Sequence, residues 1–323
     1  MIRRFGEAFP RRYVIEVVLL ALCVFLWWKA PNFLTRDNLL NVLRSVSIQG
    51  VIAFGMTMVI IAGEIDLSVG SCVAFTGCLA AWVVGALTGH APAAVAVVVG
   101  ALIALAAGAG VGLLTGLLRA RLRVPSFIAT LAWLTVLKGA AELITNGFPL
   151  TPFPEWFGEL GGGWVFGIPT PAIVFVLVFA SLHVLMHRTA FGRATYAVGG
   201  NVEAARLSGV SVTRVKMGVL GVVGALAGLA GLMQASQIMS GSATTAVGWE
   251  LDVISAVIIG GTSLMGGQGT MRGTLTGLVF LGVLVNGMTL MNITEYWQHV
   301  VRGALILVAV LANMAPASSR RAV

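Results

Sequence analysis

Two acidic pairs stand out in a chain that carries few charges of any kind. Glu64 and Asp66 close one apolar run, and Glu250 and Asp252 open another. A carboxylate at or inside a bilayer is costly unless something pairs with it, so such residues are functional candidates by default. The chemistry open to them is proton or ion handling, gating of a solute path, or capping of a helix. Asp66 can cap the helix that follows it, with Ser68 and Ser71 turned inward. Glu250 and Asp252 offer the same alternatives. Arg302 lies within the last apolar run, three residues after His299, and must face a bundle interior or a wet cavity. Lys138 and Glu142 fall four apart on one helix face and are expected to neutralise each other. One reading joins Glu64, Asp66 and His299 into the proton relay of a secondary transporter.

The elements that must position these groups follow from composition. Of 323 residues, 20 are Lys or Arg and 12 are Asp or Glu, or 10% charged, against about 25% in ordinary soluble domains. Apolar residues make up 58% and mean hydropathy is +0.97. Such a surface cannot keep a globule dispersed in water, which excludes a soluble enzyme, a disordered regulator and a secreted disulfide scaffold. The chain reads as an all-α polytopic membrane protein. Cys23, Cys72 and Cys78 lie in apolar runs, and His90, His183, His187 and His299 are scattered, so neither a disulfide framework nor a metal site is expected. The net charge of +8 resides in short clusters between apolar runs, the cytoplasmic-loop pattern, and no nucleic-acid partner is expected.

Apolar windows of bilayer-crossing length run over 14–30, 46–63, 68–89, 92–118, 124–145, 170–187, 213–238, 251–266, 273–291 and 296–314, with 251–266 the weakest. Ten spans with both termini cytoplasmic place 15 of the 20 basic residues inside. The N-terminal run is expected to be a retained first span, because Phe25-Leu26-Trp27-Trp28-Lys29 offers no cleavage site. The whole chain, 1–323, then forms one transmembrane domain, with a cytoplasmic tail over 1–13, a cytoplasmic loop over 188–216 and a periplasmic loop over 146–169. The stripes Gly108-x3-Gly112-x3-Gly116 and Gly269-x3-Gly273-x3-Gly277, with shorter ones at Gly85/Gly89 and Gly224/Gly228, predict close helix packing. The echo of Gly63-Glu64-Ile65-Asp66 in Gly248-Trp249-Glu250-Leu251-Asp252, five spans apart, predicts an inverted repeat of spans 2–5 and 7–10.

Within the cytoplasmic loop, Asn201 can cap a short helix over 202–207, with Glu203 at its positive end, Arg206 at its negative end and Gly209 as its stop. Leu207 and Val210 at its tip suit a groove on a cytosolic partner. The 146–169 loop mixes Phe148, Phe153, Trp156, Phe157 and Trp164 with Glu155 and Glu159. Interfacial aromatics account for most of it, and an acidic docking surface for an external protein is the alternative. No phosphate-gripping GxxxxGK[ST] occurs; the segment 260–269 lacks its Lys-Ser/Thr. If transport is ATP-driven, another polypeptide is the motor, and this chain binds no cofactor itself.

The stretches Gly55–Ile60 and Ile65–Ser71, Val124–Leu131, Gly192–Gly209 and Glu250–Asp252 with Ile259–Leu264 together resemble the permease subunits of bacterial sugar ABC importers of the ribose/xylose/arabinose/galactose type. The resemblance covers roughly residues 30–312. It implies a ten-span inner-membrane permease acting as a pair of copies, most simply a homodimer. It further implies a cytosolic ATPase with two fused nucleotide-binding domains that holds ATP and Mg, and a periplasmic sugar-binding protein that delivers the solute. Asn201, Glu203, Ala205, Arg206, Leu207, Ser208 and Gly209 would be the element coupling the ATPase to the bundle. Glu64, Asp66, Ser68, Ser71, Glu250, Asp252 and Arg302 are the candidates for the path and its gates. Glu64 stands where the family usually has Gly, and Arg302 where Lys is common.

Overall fold

The computed structural model describes residues 14–314; the tail over 1–13 and the basic pair Arg320-Arg321 lie outside the described residues. Ten helices match the ten apolar windows: α1 (Val14–Lys29), α2 (Arg36–Ile61), α3 (Val69–Leu87), α4 (Ala93–Arg121), α5 (Ser126–Thr145), α7 (Thr170–Arg188), α10 (Val212–Ile238), α11 (Trp249–Ile259), α12 (Met271–Leu290) and α13 (Glu295–Met314). Three short helices complete the set, α6 (Gly158–Gly162), α8 (Ala190–Gly200) and α9 (Val202–Leu207), beside a two-residue-per-strand hairpin of β1 (Trp164–Val165) and β2 (Ile168–Pro169). Among the described residues, seven helices are long and apolar enough to cross a membrane: α2, α3, α4, α5, α7, α10 and α12. The protein is an all-α polytopic membrane protein.

Helices α2, α3 and α10 are the buried centre. Val51, Ile52, Phe54, Met56, Val59 and Ile61 of α2 are sealed from every side, as are Val219, Val223, Ala227 and Met233 of α10. Apolar lipid gives these helices no reason to associate, so close backbone approach must hold them together. Gly108 of α4 and Gly224 of α10 face each other so closely that a Cβ on either would strike the other's carbonyl oxygen. Gly112 sits likewise on the Leu220 carbonyl, and Gly116 on the Met217 backbone. Gly273 and Gly277 of α12 lie against the carbonyls of Gly260 and Ala256. The third pair behaves differently: Gly85 meets only Pro152, and Gly89 makes a left-handed turn at φ +82°.

Two boundaries depart from the sequence reading, each for a physical reason. The second helix begins ten residues before its apolar window, capped by Thr35, whose hydroxyl accepts from the Asn38 amide at 3.4 Å. Its first turns carry Arg36, Asp37, Asn38, Asn41, Arg44 and Ser45, which depress hydropathy without breaking the helix. The weak window 251–266 yields only the 11 residues of α11, about 16 Å of helix against a hydrocarbon core of about 30 Å. Residues 239–248 ahead of it are turns, with Met239 at φ +53°, Ala246 at +61° and Gly248 at +82°. Irregular backbone at such depth is tolerated where protein surrounds it or it lines a cavity. Here Gly241 bridges to Leu150 of the 146–169 loop, and Ala246 is buried beside Gly70.

Candidate functional site

The connection from α7 to α10 carries the two short helices α8 and α9. Thr189 caps α8 by accepting from the Gly192 amide at 3.2 Å. Asn201 caps α9 through Oδ1, which accepts from the Ala204 amide at 2.9 Å. Ser208 follows the last turn, and Gly209 at φ +81° ends it. Ala205 is the inward face of α9, packed with Val198 and Val215. Among the described residues nothing covers the outward face: Arg206 and Glu203 pair only with each other at 2.6 Å, both well exposed, and Leu207 is 79% exposed. Tyr196 of α8 donates to the Gly269 carbonyl at 2.9 Å, and burial holds its phenol above the ordinary value. Gly199 presses on the Ile61 carbonyl. These contacts join α8 to the end of α2 and to the α11–α12 connection.

Glu64 lies in the α2–α3 connection. Its carboxylate is nearly sealed, with 4% of the side chain exposed, and is held by two cations. Lys216 of α10, itself buried, donates to Oε1, and Arg119 Nε of α4 reaches the same oxygen at 3.1 Å. Three elements are thereby tied at the end of the bundle that bears α9. Asp66 is not the cap of α3; that position belongs to Ser68, whose amide and hydroxyl both donate to Asp66 Oδ1 at 2.8 and 2.6 Å. Asp66 and Ser68 are both buried. Ser71 and Glu250 instead share a small recess of about 100 Å³ with Lys138. Among the described residues Lys138 and Glu142 form no ion pair, because both stand exposed on α5 without closing on each other.

The second half of the site lies at the opposite end of α10. Arg302 Nη1 of α13 donates to both carboxylate oxygens of Asp252 at 2.6 Å. This pair stands in the wall of a cavity of about 420 Å³ among α2, α10, α11, α12 and α13. Trp249, Gln49, Gln234, Gln237 and Arg44 also line it. The sequence reading placed Asp252 and Arg302 at a path but missed these amides. Their signal was present, since polar amides well inside apolar helices have no reason to be there unless water or a solute meets them. Asn286, also in the wall, exchanges two hydrogen bonds with Asn38 at 3.0 and 2.8 Å, locking α12 to α2.

The groups assigned to a proton relay do not meet. Glu64 is neutralised by its two cations, Asp66 bonds Ser68, and His299 is exposed and faces Glu295 at 3.6 Å. In the 146–169 loop, Phe157 is buried and stacks on Phe153 with ring centroids 4.3 Å apart, while Phe148, Trp156, Trp164 and Phe166 stay exposed. The Ser236 hydroxyl ties the loop to α10, accepting from the Gly161 amide at 2.7 Å and donating to the Phe157 carbonyl at 2.5 Å.

A helical membrane bundle with a cavity of about 420 Å³ toward one end and a short, capped, outwardly exposed helix at the other has the build of a transport subunit. Residues 38–310 match the family described as branched-chain amino acid transport system / permease component, and the chain belongs to that family. It is 41% identical over 315 residues to the ribose import permease protein RbsC of Escherichia coli K12, covering 96% of each chain. It is 45% identical over 285 residues to the RbsC of Bacillus subtilis, covering 88% of this chain and 86% of that one. An L-arabinose ABC transporter permease protein, AraH of Azospirillum brasilense, is 40% identical over 308 residues, 95% of this chain and 89% of its own. No solved structure matches the chain.

Proposed function

We propose that this chain is the membrane-spanning subunit of an ATP-driven importer for a monosaccharide or a related small polar solute. It crosses the bacterial inner membrane ten times, with both termini in the cytoplasm. The observation that carries the reading is the solvent-facing side of α9. Among the described residues Leu207 has no packing role that would explain a large apolar side chain at its tip, and Arg206 is paired only to its neighbour Glu203. A short capped helix whose inner face is fixed and whose outer face is vacant is a surface for another protein. The chain has no phosphate-gripping motif of its own, so that protein is the ATPase, with two fused nucleotide-binding domains that hold ATP and Mg.

Similarity to ribose and arabinose permeases supports a sugar as solute, delivered by a periplasmic binding protein to the 146–169 face. A second copy of the chain completes the transporter, most simply as a homodimer. The inverted relation between spans 2–5 and 7–10 belongs to the same reading, with one local asymmetry: Glu64 and Asp66 precede their helix, whereas Glu250 and Asp252 lie in its first turn. Glu64 with Lys216 and Arg119 closes the cytoplasmic end, while the cavity beside Asp252 and Arg302 serves the outer end. Differential binding of ATP to two states of the assembly would shift it between them. The test is the energy source. Uptake by cells should survive a proton ionophore when ATP is clamped, and its collapse would favour a proton-coupled carrier instead.

A further inference from the structure

Helix α7 buries Phe175, Leu182 and Met186 against the core. The helical period therefore turns Val176, Leu177, Val184, His187 and Arg188 to the outside, and all five are exposed. Along the edge of that face Phe179, His183 and His187 stack at four-residue spacing, with centroids 5.6 and 4.2 Å apart. His187 Nδ1 donates to the His183 carbonyl at 3.0 Å, which fixes its ring at the end of the helix. Arg272 is exposed in the first turn of α12, and both it and Arg188 lie within electrostatic reach of the His183 ring. Among the described residues neither arginine forms an ion pair or a side-chain hydrogen bond. The nearby acids are engaged elsewhere: Glu64 holds Lys216 and Arg119, and Glu203 holds Arg206. Glu16, in the first turn of α1, pairs with neither arginine.

Basic residues at the cytoplasmic ends of spans are expected from topology alone. That rule sets their sign and side. It does not gather arginines from two helices around one imidazole stack, where like charges repel at the edge of a low-dielectric slab. An anion between them relieves the repulsion, and a guanidinium fork fits phosphate oxygens two at a time. The apolar strip on the same face selects the kind of anion. Val184, Leu177 and Val176 run from Arg188 toward the membrane interior for about 18 Å at the helical rise. A soluble phosphate has no use for such a wall, whereas an acyl chain does. A second copy of the chain seated here about a two-fold axis would set the same cations against themselves.

We propose that this strip is a binding site for an anionic phospholipid of the cytoplasmic leaflet. Arg188 and Arg272 hold the headgroup phosphate, and an acyl chain lies along Val184, Leu177 and Val176. The site goes beyond the importer reading and takes from it only which leaflet this end of the bundle faces. Its consequence is structural: a bound lipid bridges α7 to the start of α12, two helices that share few contacts of their own.

The test titrates the full chain, purified in mild detergent and stripped of native lipid, with phosphatidylglycerol and separately with phosphatidylethanolamine. Native mass spectrometry counts the lipid retained. Phosphatidylglycerol should bind about tenfold more tightly than phosphatidylethanolamine, and Arg188→Gln combined with Arg272→Gln should abolish that preference. Each single variant should lose part of it, which keeps the test decisive if the double variant fails to fold. Arg121→Gln combined with Arg123→Gln, at the end of α4, should leave the preference intact. Equal affinity for the two lipids, a preference untouched in the Arg188 and Arg272 variants, or an equal loss in the Arg121 and Arg123 variant would overturn the site. Displacement of the lipid by inorganic phosphate would overturn it too, in favour of a soluble anion. ATP-dependent uptake by cells reads the importer assignment separately: a parent chain with the lipid preference and no such uptake would sink that assignment and leave the site standing.

Discussion

Asp252 on α11 and Arg302 on α13 stand 50 positions apart and meet at 2.6 Å in the wall of the interior cavity. Helix α13 is otherwise largely exposed, so this pair is its principal polar attachment to the half-length helix α11. Truncating one partner leaves the other charge without compensation in a low-dielectric setting. Arg302→Leu should cut transport by about tenfold or more and lower the yield of folded chain, as should Asp252→Asn. The exchange Asp252→Arg with Arg302→Asp should recover part of both. Equal loss in the exchanged chain and the single variants, measured by uptake and by size-exclusion profile, would show that the pairing itself is not what matters.

Glu64 should be a stability residue in this chain, although the resemblance puts Gly there. Glu64→Gln leaves Lys216 buried and unpaired and should cost about 3 kcal/mol. Combining it with Lys216→Met should restore much of that loss, since the pair is then replaced by uncharged groups. Thermal unfolding in detergent, followed for the two single variants and the double, gives the coupling directly. Additive losses would remove Lys216 as the partner that Glu64 requires.

The contact of α4 with α10 makes a sharper steric prediction. A side chain at Gly108 or Gly224 would press on the opposite carbonyl, which cannot move without moving its helix. Gly108→Val should destabilise by about 2–3 kcal/mol, whereas Gly110→Val, which faces open space, should be tolerated within about 0.5 kcal/mol. The comparison is made by folded yield and melting temperature of the two variants side by side.

Much of this architecture was legible in the sequence because the bilayer imposes a length and polarity rule that apolar runs obey one by one. Asn201, Glu203 and Gly209 could be read as a capped helix for a similar reason, since capping is local chemistry. What escaped reading depends on distance along the chain. The partner of Glu64 lies 152 positions away at Lys216, and the expected pairing of Lys138 with Glu142 gave way because helix spacing permits a pair without compelling one. The start of α2 escaped because its first turns are polar. Asn41, Arg44 and Ser45 lower its hydropathy because they face the cavity and not lipid. The break before α11 escaped because turns at membrane depth are stabilised by neighbours such as Leu150, far off in sequence.

Helix α9 should tolerate substitution structurally and not functionally. The Glu203–Arg206 pair is exposed and worth at most about 1 kcal/mol, so Arg206→Glu should leave insertion and folding intact. Uptake should nevertheless fall by about tenfold or more, because a surface of matched charge on the partner would now be opposed. Unchanged uptake with a normal amount of protein in the membrane would remove α9 from the coupling route.

The central claim is that this chain is driven by a separate ATPase held at α9, and affinity purification of the tagged chain from its host in mild detergent tests it most directly. The wild-type chain should bring down a polypeptide with two nucleotide-binding domains that hydrolyses ATP, and Leu207→Asp should lose it while remaining folded. A chain that purifies alone and accumulates solute in liposomes without ATP would contradict the account and return Glu64 and Asp66 to the centre of the mechanism.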